Sequence, residues 1–167
     1  GNGSDEAIDV LLRVFCEPRV DNVVSIAPSY GMYKVAAAIN DVEIREVQLG
    51  EEFSLPVEEL LSAVDEHTKM IFLCSPNNPT ANSFPREKMM QLVEQFDGIV
   101  VVDEAYIDFA EAESLKDEIA QHPNLVVLQT MSKAWAMAGL RVGLALAAER
   151  VVELMSGVKY PYNINVA

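Results

Sequence analysis

The chain has 167 residues, enough for one domain with a sizeable core. Half of its residues are hydrophobic and 23% are charged, the balance of a globular domain rather than a disordered or fibrous one. With 26 acidic side chains against 12 basic ones the net charge is -14, which repels polyanions and argues against nucleic acid or an anionic membrane surface as a partner.

The opening "GNGSDEAIDVLL" enters helical periodicity within a few residues. Ile8, Leu11, Leu12 and Phe15 carry the i, i+3, i+4, i+7 spacing of an amphipathic helix, with Ser4 as its expected N-cap and Asp5 and Glu6 in the first turn. "NVVSIAPSY" reads as a short buried strand ended by Pro28, and a helix is expected over roughly residues 31–40. "VEIREVQL" follows as a strand, and "LPVEELLSAVDE" has helical spacing through Val57, Leu60, Leu61 and Val64. "KMIFLCSP" is a strand stopped by a Pro-Asn-Asn-Pro loop.

Ser83 and Pro85 open the next expected helix, whose inner face is Met89, Leu92, Val93 and Phe96. "GIVVVDEAY" is an almost continuously apolar strand ending in acid, followed by a short helix around 112–121 and the strand "NLVVLQT". "GLRVGLALA", a further strand, and the helix "AERVVELMSGV" complete the order. Strands that are apolar throughout, mostly separated by helices, indicate a mostly parallel sheet covered on both faces.

In such sheets a ligand lies beyond the C-terminal ends of the strands. The unusual polar residues fall there: Ser29-Tyr30, Ser75-Pro76-Asn77-Asn78, Asp103-Glu104-Ala105-Tyr106 and Thr130-Met131-Ser132-Lys133. Taken alone, each has an ordinary reading. Asp103 is either a strand reaching the surface or a carboxylate on the floor of a cleft facing a cation or a protonated ring nitrogen. Lys133 is either an exposed turn residue or a partly desolvated amine able to act as a nucleophile. "GNGSDE" is a loop and cap, or an anion site made from glycines and free helix N–H groups, a reading that Arg141 nearby would strengthen. Tyr30 either packs in the core or covers the face of a planar ligand.

Other chemistries find little support. His67 and His122 belong to no metal-binding spacing, and no GxSxG elbow, GxxxxGK loop or complete dinucleotide fingerprint occurs. Cys16 and Cys74 share no CxxC spacing and read as free thiols of a reducing compartment. No apolar run approaches the ~18 residues that cross a bilayer, and the start lacks the features of a secretion signal. The abrupt opening and the equally abrupt "YPYNINVA" lead to the expectation of a piece of a longer protein.

Together "GNGSDE", "APSYGMY", "SPNNPT", "VVVDEAYIDF" and "TMSKAWAMAGLRVG" resemble, in the family's order and over essentially the whole chain, the fold-type I pyridoxal-phosphate aminotransferases, and within them the histidinol-phosphate aminotransferase branch. The resemblance implies pyridoxal 5'-phosphate as cofactor. Lys133 would carry it on its amine and shuttle a proton, and Asp103 would pair with the pyridinium nitrogen. Asn78 and Tyr106 would hydrogen-bond the ring's phenolic oxygen, and Tyr30 would stack on the ring. Backbone groups of Ser4 and Asp5, with the side chains of Thr130, Ser132 and Arg141, would hold the phosphate.

Ala81 departs from the family, standing where "NPTG" has glycine. The resemblance also implies a segment before residue 1 that reaches a neighbouring subunit, and a small domain after residue 167 that grips substrate.

The expectation is therefore a single cofactor-binding large domain over 1–167, three-layer α/β/α with a mostly parallel sheet and "GLRVGLALA" as its one antiparallel strand. The parent enzyme is expected to be a cytoplasmic homodimer acting on small molecules, transferring an amino group between histidinol phosphate and 2-oxoglutarate in histidine biosynthesis. The rivals are another aminotransferase of this fold such as an aromatic one, a threonine-phosphate decarboxylase-like enzyme, a catalytically incompetent isolated domain, and a nucleotide-binding module without imine chemistry.

Overall fold

A computed structural model of the chain describes residues 1–164, so the last three residues of the expected 1–167 domain lie outside the described residues. Helix α1 (Ser4–Phe15) precedes strand β1 (Asn22–Ala27), helix α2 (Met32–Ile39) and strand β2 (Glu43–Gln48). Helix α3 (Val57–Ser62), strand β3 (Thr68–Cys74), helix α4 (Arg86–Gln95) and strand β4 (Ile99–Asp103) follow. Strands β5 (Leu125–Thr130) and β6 (Gly143–Leu146) and helix α5 (Glu149–Val158) complete the order.

Six strands form one sheet in the order β2-β1-β3-β4-β5-β6. All neighbouring pairs are parallel except β5 with β6. The period-2 alternation of strand side chains divides the core in two. Met70, Phe72 and Cys74 of β3 face α1, α2 and α5, while Ile71 and Leu73 face α3 and α4. Val100, Val101 and Val102 of β4 are wholly buried, one face to each layer. At ~1.5–3 kcal/mol for each fully buried aliphatic side chain, the central strands dominate the stabilisation. The three-layer α/β/α expectation holds, with the antiparallel strand where "GLRVGLALA" placed it.

Local expectations differ in four places. Gly3, with φ 80, takes the cap position of α1 and gives no side-chain cap, so Ser4 is the first helical residue instead. α3 stops at Ser62 because the next residues serve Asp65, whose carboxylate accepts from Asn22 Nδ2 (2.9 Å) and from the His67 N–H (2.9 Å). The helix expected around 112–121 is only a 3-10 turn at Leu115–Glu118. β2 is an edge strand with no fully buried residue rather than an apolar one.

Candidate active site

The parallel register sets strand ends level: Cys74 pairs with Asp103, and Asp103 with Leu128. Beyond this edge the chain leaves the sheet at four points and frames a cleft of about 450 Å³. Ser4, Asp5, Tyr30, Asp103, Tyr106, Thr130, Ser132, Lys133 and Arg141 all line it, nine of the ten residues singled out in the sequence. Asn78 does not. It lines an adjoining cavity with Pro76, Pro79 and Phe109, and Tyr106 is shared between the two.

Asp103 forms the floor. It is 2% exposed, and its oxygens accept from the Tyr33 hydroxyl (3.0 Å) and from the Ala105 N–H (3.1 Å). Burial pushes its carboxyl up to about 6, against the pull of those two donors. A buried carboxylate so raised lacks a cationic partner, and the cleft beside it is the open direction from which one can come.

Arg141 and the start of α1 form one wall. Helix α1 has no side-chain cap, so first-turn N–H groups are open to an anion. A Cβ on Gly3 would lie 2.7 Å from Arg141 Nη2, and one on Gly143 would lie 2.1 Å from the Gly3 carbonyl carbon. Only glycine at both positions lets β6, the helix start and the guanidinium converge. The Gly3 N–H donates to the Arg141 carbonyl at 2.8 Å, and Arg141 itself is left-handed (φ 52), a conformation non-glycine residues adopt at a cost. Across from it, Thr130 Oγ1 donates to Ser132 Oγ at 3.0 Å, presenting paired hydroxyls. Arg141 reaches Asp5 at 3.8 Å, and Asp5 accepts from the Tyr30 hydroxyl at 3.0 Å. Tyr30 is thereby tethered, its hydroxyl pKa raised by burial and by Asp5.

Of the two readings of Lys133, the structure shows the exposed turn residue rather than the partly desolvated amine. In place of desolvation the structure supplies an aromatic face, with Nζ 5.3 Å from the centroid of the Tyr106 ring. The long connection from β5 to β6 leaves Trp135 and Met137 exposed as well, so nothing in the described chain dries the amine.

Three residues beside the cleft were given no role from the sequence, Glu104 being named only among the polar residues at the strand ends. Tyr33, in the first turn of α2 and three positions after Tyr30, which precedes that helix, donates to Asp103. Cys74 was read only as a buried thiol, yet it lines the cleft level with Asp103, and burial pushes it up to about 12. Glu104 is 2% exposed and accepts from Ser114 Oγ (2.6 Å), the Leu115 N–H (2.7 Å) and Gln129 Nε2 (3.0 Å). Neither the pairing of Tyr33 with Asp103, seventy residues away, nor the partners of Glu104, up to 25 residues away, carries a local signal in the sequence. Asn77, 2% exposed, organises the Pro-Asn-Asn-Pro loop through Ser29, Pro28 and Thr80 rather than facing the cleft. Ala81 in that loop has φ 63, the left-handed conformation glycine adopts more readily.

The whole chain is similar to known proteins. The family model described as aminotransferase class I and II matches residues 1–167. A histidinol-phosphate aminotransferase of Bacteroides thetaiotaomicron is 55% identical over 165 residues, covering 99% of this chain and 48% of that protein. One from Flavobacterium johnsoniae is 56% identical, with 99% and 47% covered. The chain thus spans about half the length of the curated relatives it matches. Among solved structures, the histidinol-phosphate aminotransferase from Clostridium acetobutylicum superposes with a TM-score of 0.88 at 26% identity, covering 99% of this chain and 49% of that one.

Proposed function

The chain belongs to the aminotransferase class I and II family, and from that premise we propose that it is the pyridoxal-phosphate-binding domain of a histidinol-phosphate aminotransferase. The proposed reaction of the whole protein exchanges the amino group of histidinol phosphate with 2-oxoglutarate, giving imidazole-acetol phosphate and glutamate. One observation carries the reading: a single cleft gathers a buried carboxylate, an accessible amine and an arginine beside an open helix N-terminus.

The residues present fit this cofactor on their own chemistry. A phosphate needs donors and positive charge, and the glycine-lined approach of Arg141 to the start of α1, with the Thr130 and Ser132 hydroxyls, supplies both. A protonated ring nitrogen needs an anion sheltered from water, and Asp103 is one whose raised pKa such a cation would bring back down. When bound, pyridoxal phosphate supplies the electron sink that withdraws carbanion charge from the substrate Cα.

The chain's own groups do the rest. Lys133, on a flexible stem, takes the proton from the substrate Cα as a general base and returns one as a general acid. Tyr106 presents its ring face to the Lys133 amine and also lines the adjoining cavity that holds Asn78. Tyr30, tethered through Asp5, would cover one face of the cofactor ring. Asp103, buried and without a cationic partner among the described residues, would hold a proton on the ring nitrogen of the bound cofactor.

The test is an absorbance spectrum of the purified chain with added pyridoxal phosphate, before and after borohydride. A band near the visible edge that reduction removes, leaving a covalent cofactor adduct on the Lys133 peptide by mass, is the expected result. Lys133→Ala is expected to lose both band and adduct; retention of the band would remove Lys133 from this role. Turnover of histidinol phosphate by the full-length protein tests the substrate, and turnover of aromatic amino acids in its place would replace it.

A further inference from the structure

Behind the cleft, Tyr33 is 2% exposed and takes no part in the binding just described. Its ring stacks on Phe72 with centroids 5.1 Å apart and planes 17° apart, and meets Tyr30 edge-on at 5.7 Å. Held between two rings, its hydroxyl is aimed across the sheet edge at Asp103, seventy residues away in the chain, and donates to Oδ2 at 3.0 Å. The Ala105 N–H donates to the other oxygen, Oδ1, at 3.1 Å. The terminal torsion of an aspartate is broad and poorly fixed by sterics alone. Two donors, one on each oxygen and from different elements, remove that freedom while leaving each oxygen lone-pair capacity.

We propose that Tyr33 is a positioning residue of this site: from behind the cleft it fixes the plane of the Asp103 carboxylate, so that the remaining lone pairs meet the protonated ring nitrogen of a planar heteroaromatic cofactor. The identity of that cofactor rests on the reading above; the grip on the carboxylate rests on the geometry. Donation from Tyr33 favours the charged carboxylate against its burial, and without the hydroxyl Asp103 holds its proton more tightly. The titratable and charged groups around it are Asp5 from α1, Tyr30 and Tyr33 from the segment around α2, Cys74 at the end of β3 and Glu104 beside it, with Lys133 and Arg141 across the cleft.

Tyr33→Phe keeps the stacked ring and deletes only the hydroxyl. In the cofactor-free chain, a carbon-13 titration of the Asp103 carboxyl is expected to move its midpoint upward by about one unit in the variant. Affinity for pyridoxal phosphate is expected to fall about tenfold, while an analogue with carbon in place of the ring nitrogen binds as before. A merely structural role would weaken both ligands equally, and that outcome overturns the proposal, as does an unmoved titration midpoint. If the unsubstituted chain binds neither ligand, the pyridoxal-phosphate reading falls, and the titration still decides whether Tyr33 governs Asp103.

Discussion

At the residue scale the site sets function against stability. Asp103 binds its proton more tightly in the folded chain, at about 6, than at the ordinary value of 3.8. Its contribution therefore favours folding below pH ~4 and is lost as pH rises through about 6, so that at neutral pH the buried charge opposes folding. Asp103→Asn keeps the size of the side chain, and its amide can still meet Tyr33 and the Ala105 N–H. This variant is expected to be more stable than the parent by about 1–3 kcal/mol at pH 7.5, with the difference vanishing near pH 3.5, while cofactor binding is lost. Urea unfolding at the two pH values measures this, and a variant less stable at pH 7.5 would refute it. Nine of the ten residues singled out in the sequence line one cleft. Asp103 and the segment 130–133 stood out because they follow apolar runs directly, whereas Ser4, Asp5 and Arg141 were assigned their roles through the resemblance. Tyr33 did not stand out, because a tyrosine in a helix reads as core until its hydroxyl is given a partner.

At the scale of elements, Glu104 explains both a failed expectation and the placing of the site. "AESLKDEIAQ" has helical spacing through Leu115 and Ile119, but Ser114 and the Leu115 N–H are committed to Glu104, and Ser114 Oγ accepts from the Lys116 N–H at 3.1 Å. What remains is a single 3-10 turn at Leu115–Glu118, strapped to β5 through Gln129. The strap holds the segment that carries Ala105, which grips Asp103, and Tyr106, which backs Lys133. Glu104→Ala leaves three donors without their acceptor and is expected to cost about 2–4 kcal/mol. Amide exchange over residues 105–115 is expected to quicken while β1, β3 and β4 keep their protection. Uniform loss of protection would instead mean that Glu104 supports the whole sheet.

For the whole molecule, charge and topology act separately. The net charge of -14 leaves far more acids than the 12 basic side chains can pair, so self-repulsion outweighs the exposed ion pairs. Such pairs contribute only ~0–1 kcal/mol each, and salt screens them too. Raising NaCl from about 10 mM to about 150 mM shortens the Debye length from ~30 Å to ~8 Å and is expected to raise the urea midpoint; a fall would show that the ion pairs dominate.

The sequence by itself determined the layered α/β/α architecture, because apolar runs of strand length divided by amphipathic helices can bury both faces of a sheet in few ways. It also determined which strand ends carry polar chemistry, since those residues follow the apolar runs directly. Only the tertiary structure decided that Asn78 stands in a neighbouring cavity, that Lys133 lies open against Tyr106, and that Tyr33 and Glu104 hold the floor and the rim. Those facts depend on strand register and on hydrogen bonds between residues far apart in the chain, which no local pattern encodes.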